Sequence, residues 1–120
     1  MIIGIGIDLV EIGRVRLLLK RPNLGRIFTS SEIKYCRSKP NPAESFSARF
    51  AAKEAFLKAI GTGWGTADSP RWNEIEVQMK DLLLTGKAKS ICQKLKVIRT
   101  CLSLTHTKDY AMAVVILEGK

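Results

Sequence analysis

Cysteine is scarce in this 120-residue chain, and what there is does not pair. Cys36, Cys92 and Cys101 are odd in number and widely spaced, with no Cys-x-x-Cys among them. That argues against a disulfide framework and a structural zinc site, and leaves buried free thiols as the plain reading. Long apolar runs are also missing. Nothing approaches the ~20 residues a membrane-spanning helix needs. The run Ile2 to Ile7 is broken by Asp8 and has no basic leader before it. It reads as a strand rather than a signal peptide, so a cytoplasmic location is expected. Histidine occurs once, at His106, and no nucleophile elbow accompanies it, so a Ser/His/Asp triad has no basis. Gly61-Thr62-Gly63 lacks the Gly-Lys-Ser/Thr ending of a P-loop.

Acidic residues are the other shortage. Eleven Asp and Glu face twenty Lys and Arg, a net charge of +9. Such a surface draws anions: nucleic acid, phosphorylated small molecules, acidic proteins or anionic lipid. Charge alone does not choose among them, and a basic surface that only aids solubility is the bland alternative. The length fits one domain with a core of its own.

What is present has clear periodicity. Ile3, Ile5, Ile7 and Leu9 share one strand face, which is expected to be buried. Gly4, Gly6 and Asp8 share the other. Glycine inside a strand is costly unless a backbone or ligand must come close. A basic helix over residues 11–20 is expected next, carrying Arg14, Arg16 and Lys20, with Arg21 just beyond and an apolar stripe of Val15, Leu18 and Leu19. Thr29 and Glu32 have capping-box spacing and predict a helix to about residue 37. Residues 43–60, free of Gly and Pro inside, predict the longest helix, with Phe46, Phe50 and Leu57 near one stripe. Gly61 fits the left-handed position after it.

The second half reads mostly as strands. Residues 74–79 alternate Ile75, Val77 and Met79 against Glu76 and Gln78. Gly86 marks a turn, residues 90–97 are ambiguous with a short helix as one reading, and residues 101–105 and 111–118 predict an antiparallel hairpin. The sum is one α+β domain over residues 1–120 with a mostly antiparallel sheet.

Three features could carry chemistry. Asp8 closes the stripped strand face, where its plain alternative is a polar strand end or helix cap. Glu54 and Lys58 are four apart on one helix face in the favourable order, which by itself describes a routine surface ion pair. Small residues Ala51 and Ala55 on that face leave room for an approaching group. His106, between Thr105 and Thr107 just past a strand, could bind a phosphate, although a lone histidine is more often structural. The glycine turn at Gly61 to Gly63 lies at a helix C-terminus, the wrong end for anions unless its backbone N–H groups converge.

Four segments, in order, cover nearly the whole chain: Gly4-Ile5-Gly6-Ile7-Asp8 through Arg14; Arg49-Phe50-Ala51-Ala52-Lys53-Glu54-Ala55-Phe56-Leu57-Lys58 into Gly61-Thr62-Gly63; Trp72 through Val77; and Ser103-Leu104-Thr105-His106-Thr107 with Tyr110-Ala111-Met112-Ala113. Together they resemble the holo-acyl-carrier-protein synthase family. Gly86-Lys87-Ala88 departs from that family's usual Gly-Lys-Pro.

The resemblance implies the 4′-phosphopantetheinyl transferase fold, its sheet packed on the long helix, in a homotrimer with active sites between subunits. It implies transfer of 4′-phosphopantetheine from coenzyme A to a serine of apo-acyl carrier protein, in support of fatty acid biosynthesis. Magnesium takes one or two protein carboxylates plus phosphate and water, and Asp8 and Glu54 are the pair it would use. Lys58 would meet the leaving phosphate, and Glu54 is the candidate base. Arg49, Lys58, Gly61, Thr62, Gly63, His106 and Thr107 match positions near the coenzyme, and Arg14, Leu18 and Arg21 would dock the acidic carrier protein. Neither a nucleic acid nor a membrane is then an expected partner. A small basic RNA-binding domain is the alternative; it explains the charge but lacks an aromatic stacking platform.

Overall fold

The computed structural model describes residues 1–61, 69–79 and 81–120. Along the chain run β1 (Ile2–Glu11), α1 (Ile12–Leu18), α2 (Ser30–Arg37), α3 (Pro42–Ala59), β2 (Ile75–Gln78), β3 (Asp81–Leu84), α4 (Gly86–Lys94), β4 (Val97–His106) and β5 (Tyr110–Gly119). β1, β5 and β4 form an antiparallel sheet in that order, with β5 central, while β2 and β3 pair as a separate antiparallel ribbon. The expected α+β arrangement is therefore present, with the long helix against the three-stranded sheet.

The packing of that helix overturns one expectation. Ile5, Ile7 and Leu9 are 59%, 53% and 58% exposed, whereas Gly6 is buried. The stripped face of β1, not the aliphatic one, meets α3. A Cβ on Gly4 would strike the Ala59 carbonyl, and one on Gly6 the Ala55 carbonyl. Helix backbone thus rests almost directly on strand backbone, which only glycine permits. Alternation correctly grouped the residues by face, but it could not say which face the helix takes. Ile3 escapes its face because the register with β5 shifts between Ile2 and Gly4, and it packs against the core instead.

The core lies between α3 and the inward row of β5: Ala111, Ala113, Val115 and Leu117. Phe28, Phe46 and Phe56 are buried in the same core cluster. The Thr29 capping box forms as its spacing predicts: the Glu32 amide donates to Thr29 Oγ1 (3.2 Å) and the Thr29 amide to Glu32 Oε1 (2.9 Å). Gly61 takes φ +78° after α3, the left-handed conformation that ends it.

Other boundaries move. α1 stops at Leu18, short of residue 20. Met79 does not continue β2; its φ is +32° and it is 91% exposed. Gly86, at φ +54°, opens α4 rather than a turn before it, so the ambiguous stretch is a helix that begins four residues earlier. Among the described residues, no helix is long and apolar enough to cross a membrane.

Candidate active site

Asp8 stands on the glycine face of β1, three residues before the chain turns into α1, and α3 passes beneath it. Because α3 lies so close, Lys58 reaches back to the strand. Its Nζ donates to the Ile7 carbonyl and to Asp8 Oδ1, each at 3.0 Å. Where helical spacing alone suggests a routine pair with Glu54, the ion pair Lys58 makes among the described residues is with Asp8. Lys58 bridges helix and strand, with its own side chain 56% exposed and that of Asp8 15%.

Glu54 is 4% exposed, one turn before Lys58. Its Oε1 accepts a hydrogen bond from Trp72 Nε1 at 2.8 Å. Burying an ionised carboxylate is costly unless it is hydrogen-bonded or near positive charge, so this burial marks a maintained site rather than a solvated helix face.

One cleft of about 620 Å³ gathers Asp8, Glu54 and Lys58 together with Arg14, Leu18 and Arg21. Two groups read separately in the sequence, the acid–base pair and the basic helix, thus share one opening. Leu9, Val10, Glu11, Val15, Leu17 and Phe50 complete its wall, and Leu17, 64% exposed, is an apolar neighbour that sequence reading passed over.

Arg49 and His106 line a different cleft, of about 380 Å³, with Lys39, Asn41 and Glu44. His106 Nε2 lies 3.3 Å from Glu44 Oε1. Arg49 donates to the Ser45 carbonyl (3.3 Å) and stacks over Tyr35, 4.3 Å from the ring centroid. Lys39 approaches the same ring, and its hydrogen bond to the phenol, with Arg49 nearby, holds the Tyr35 pKa below its ordinary value. The Thr107 hydroxyl accepts from the Asp109 and Tyr110 amides, at 3.3 and 3.1 Å. A single chain therefore does not bring Arg49, His106 and Thr107 into the Asp8 cleft. Gly61 follows α3 and donates its amide to the Lys58 carbonyl (3.1 Å), while Thr62 and Gly63 lie outside the described residues.

Among the described residues, no three His, Cys, Asp or Glu side chains gather as a metal site. Of the three carboxylates that line the Asp8 cleft, Asp8, Glu11 and Glu54, two are withdrawn from water, Glu54 nearly sealed and Asp8 mostly covered. That donor set is too small for a protein-only cage, but it suits magnesium, which keeps water and takes phosphate oxygens for the remaining positions. The residues present fit such an ion.

Sequence reading missed two residues around Glu54. Lys53, fully buried, pairs with Glu32 at 2.7 Å, and Trp72 donates to Glu54. The only signal for Lys53 was its place beside Glu54 in the helix motif. Trp72 was legible as a family position but not as a partner of Glu54.

Comparison with known proteins adds to this geometry. The sequence model of the 4′-phosphopantetheinyl transferase superfamily matches residues 4–115. A holo-[acyl-carrier-protein] synthase of Koribacter versatilis (strain Ellin345) is 46% identical over 126 residues, covering 98% of this chain and 99% of that protein. The crystal structure of holo-[acyl-carrier-protein] synthase from Neisseria meningitidis aligns with TM-score 0.84 at 31% identity, covering 98% of this chain and 99% of that one. A holo-(acyl-carrier-protein) synthase from Bacillus anthracis, solved in complex with CoA (3′,5′-ADP), aligns with TM-score 0.79 at 34% identity over 100% and 99% of the two chains. The RNA-binding alternative finds no support among these relatives.

Proposed function

The chain belongs to the 4′-phosphopantetheinyl transferase superfamily, and from that premise we propose that it acts as a holo-acyl-carrier-protein synthase through the Asp8 cleft. It moves 4′-phosphopantetheine from coenzyme A to a serine of apo-acyl carrier protein, and adenosine 3′,5′-bisphosphate leaves. The observation that carries this reading is the convergence of Asp8, Glu54 and Lys58 with Arg14 and Arg21 in one cleft.

The serine oxygen forms a bond to the β-phosphorus of coenzyme A while the bond from that phosphorus to the bridging oxygen breaks. Such a transfer needs positioning and charge neutralisation more than covalent help. Asp8 and Glu54 would hold magnesium, which when bound would offset the charge of the pyrophosphate. Lys58 anchors Asp8 in the free protein, and its half-exposed ammonium is placed to turn to the leaving phosphate and donate a proton or hydrogen bond to it. Glu54, directly or through a water, takes the proton of the serine hydroxyl.

Arg14 and Arg21, on and just after α1, face the same opening and would receive the acidic carrier protein, with Leu18 as the apolar contact. The exposed aliphatic face of β1 supports the trimer. Ile5, Ile7 and Leu9 pair across the sheet with Ile116, Val114 and Met112, giving a continuous aliphatic surface. Packing copies through that face would cover it and would let Arg49, His106 and Thr107 of one copy complete the Asp8 cleft of another at the coenzyme phosphates. Work in the cytoplasm on behalf of fatty acid biosynthesis completes the reading.

Asp8→Asn and Glu54→Gln test the site. Each variant should fold, by circular dichroism, and lose transfer on the order of a thousandfold, equivalent to about 4 kcal/mol of transition-state stabilisation. Transfer at the wild-type rate by either variant would refute its role.

A further inference from the structure

A buried glutamate that binds a ligand needs its carboxylate held in rotation, because the terminal torsion of Glu is broad. That hold comes from Trp72, on a turn that Lys53 of α3 ties down. Lys53 and Glu54 are adjacent, so their side chains leave the helix about 100° apart. Both nevertheless converge on the short turn Trp72–Glu74 that leads into β2. Lys53 Nζ donates to the Trp72 carbonyl (3.0 Å) and to the Ile75 carbonyl, one at each end of that turn. Its third contact is Glu32 Oε1 at 2.7 Å, and Glu32 also accepts the Val77 amide (2.9 Å), which ties the start of β2 to α2. The turn so fixed returns the Trp72 indole to Glu54 Oε1 at 2.8 Å.

We propose that Trp72 is a positioning residue for the Glu54 carboxylate, with Lys53 fixing the turn that carries it. The proposal deepens the magnesium assignment above and rests on it. An indole N–H is a donor only, so Glu54 Oε1 is the acceptor and that one oxygen is pinned. Hydrogen-bond partners behind a metal-ligating group fix its orientation, and their loss commonly weakens metal binding or activity by about 10–100-fold. Phenylalanine at position 72 would keep the ring packing, including the tilted contact with Phe50 at 6.0 Å, and delete the donor alone.

The test is Mn²⁺ affinity measured by electron paramagnetic resonance on wild type, Trp72→Phe and Glu54→Gln, with no turnover. Wild type should bind Mn²⁺, Glu54→Gln should lose most of that binding, and Trp72→Phe should bind about tenfold more weakly. In transfer assays, Trp72→Phe should need correspondingly more Mg²⁺ for half-maximal rate while the KM for coenzyme A at saturating metal stays unchanged. Equal Mn²⁺ affinity in wild type and Trp72→Phe overturns the positioning role and leaves the metal site standing. Absence of Glu54-dependent binding in the wild type overturns both.

If Trp72→Phe does not fold, Trp64→Phe leaves a single indole, and its N–H resonance is followed during Mg²⁺ titration. A shift that saturates with the metal supports the proposal; a resonance that does not move overturns it.

Discussion

Glu32, Lys53 and Glu54 are three ionisable side chains almost entirely withdrawn from water, and each is tolerated because its partners are in place. Glu32 accepts two backbone amides and the Lys53 ammonium. Lys53 is pulled towards its neutral form chiefly by burial, and Glu32 opposes that pull. Cys36 is packed in the same core, and burial pushes its thiol from an ordinary 9.0 up to about 11. The sign of the consequence is fixed. Below pH 9 the thiol is protonated in both folded and unfolded chains and contributes nothing. Between about pH 9 and 11 the unfolded chain releases the proton first, so it binds fewer protons than the folded one and stability falls. Urea unfolding across that range should lose stability steeply in wild type and less steeply in Cys36→Ala. Parallel alkaline limbs would contradict the assignment.

At the scale of elements, the decisive contact is α3 against the glycines of β1. Gly6→Ala should force strand and helix apart and destabilise the protein by about 1–3 kcal/mol, read as a lower urea midpoint. An unchanged midpoint would mean that the close approach does not hold in solution. The same contact shows what the sequence could and could not say. Elements fixed by local chemistry were legible: the Thr29–Glu32 capping box, the uninterrupted α3, the left-handed Gly61 and the β4–β5 hairpin. The orientation of β1 was not, because two glycines announce a close approach without naming which body approaches. β3 was invisible at four residues, and α4 was displaced because Gly86, read as a turn, takes its positive φ at the first position of the helix. At the candidate site, motif spacing singled out Asp8, Glu54 and Lys58, and helical spacing suggested a Glu54–Lys58 pair, whereas the structure joins Lys58 to Asp8. The Lys58–Asp8 bridge and the Trp72–Glu54 bond join residues 50 and 18 apart in sequence. Only tertiary packing creates them.

At the scale of the molecule, the exposed aliphatic sheet face and the divided set of site residues have one explanation in common. If copies join through β1 and β5, the face is covered and the Arg49–His106 cleft of one copy can meet the Asp8 cleft of another. Ile7→Asp places a charge in the centre of that exposed face and should give monomers in sedimentation equilibrium together with a loss of transfer. A trimer that survives Ile7→Asp would contradict this mode of assembly. The net charge of +9 acts at the same scale. Encounter with an acidic carrier protein should slow as salt rises, and Arg14→Glu should weaken carrier affinity more than coenzyme A binding.

The central claim is the transfer itself, and the mass of the carrier protein reports it without any inferred intermediate. Purified wild-type protein, apo-acyl carrier protein, coenzyme A and Mg²⁺ are incubated together, and the carrier is weighed by mass spectrometry. The account predicts a carrier heavier by one phosphopantetheine, on its serine, only when coenzyme A and the metal are both present. A carrier of unchanged mass under those conditions would contradict it.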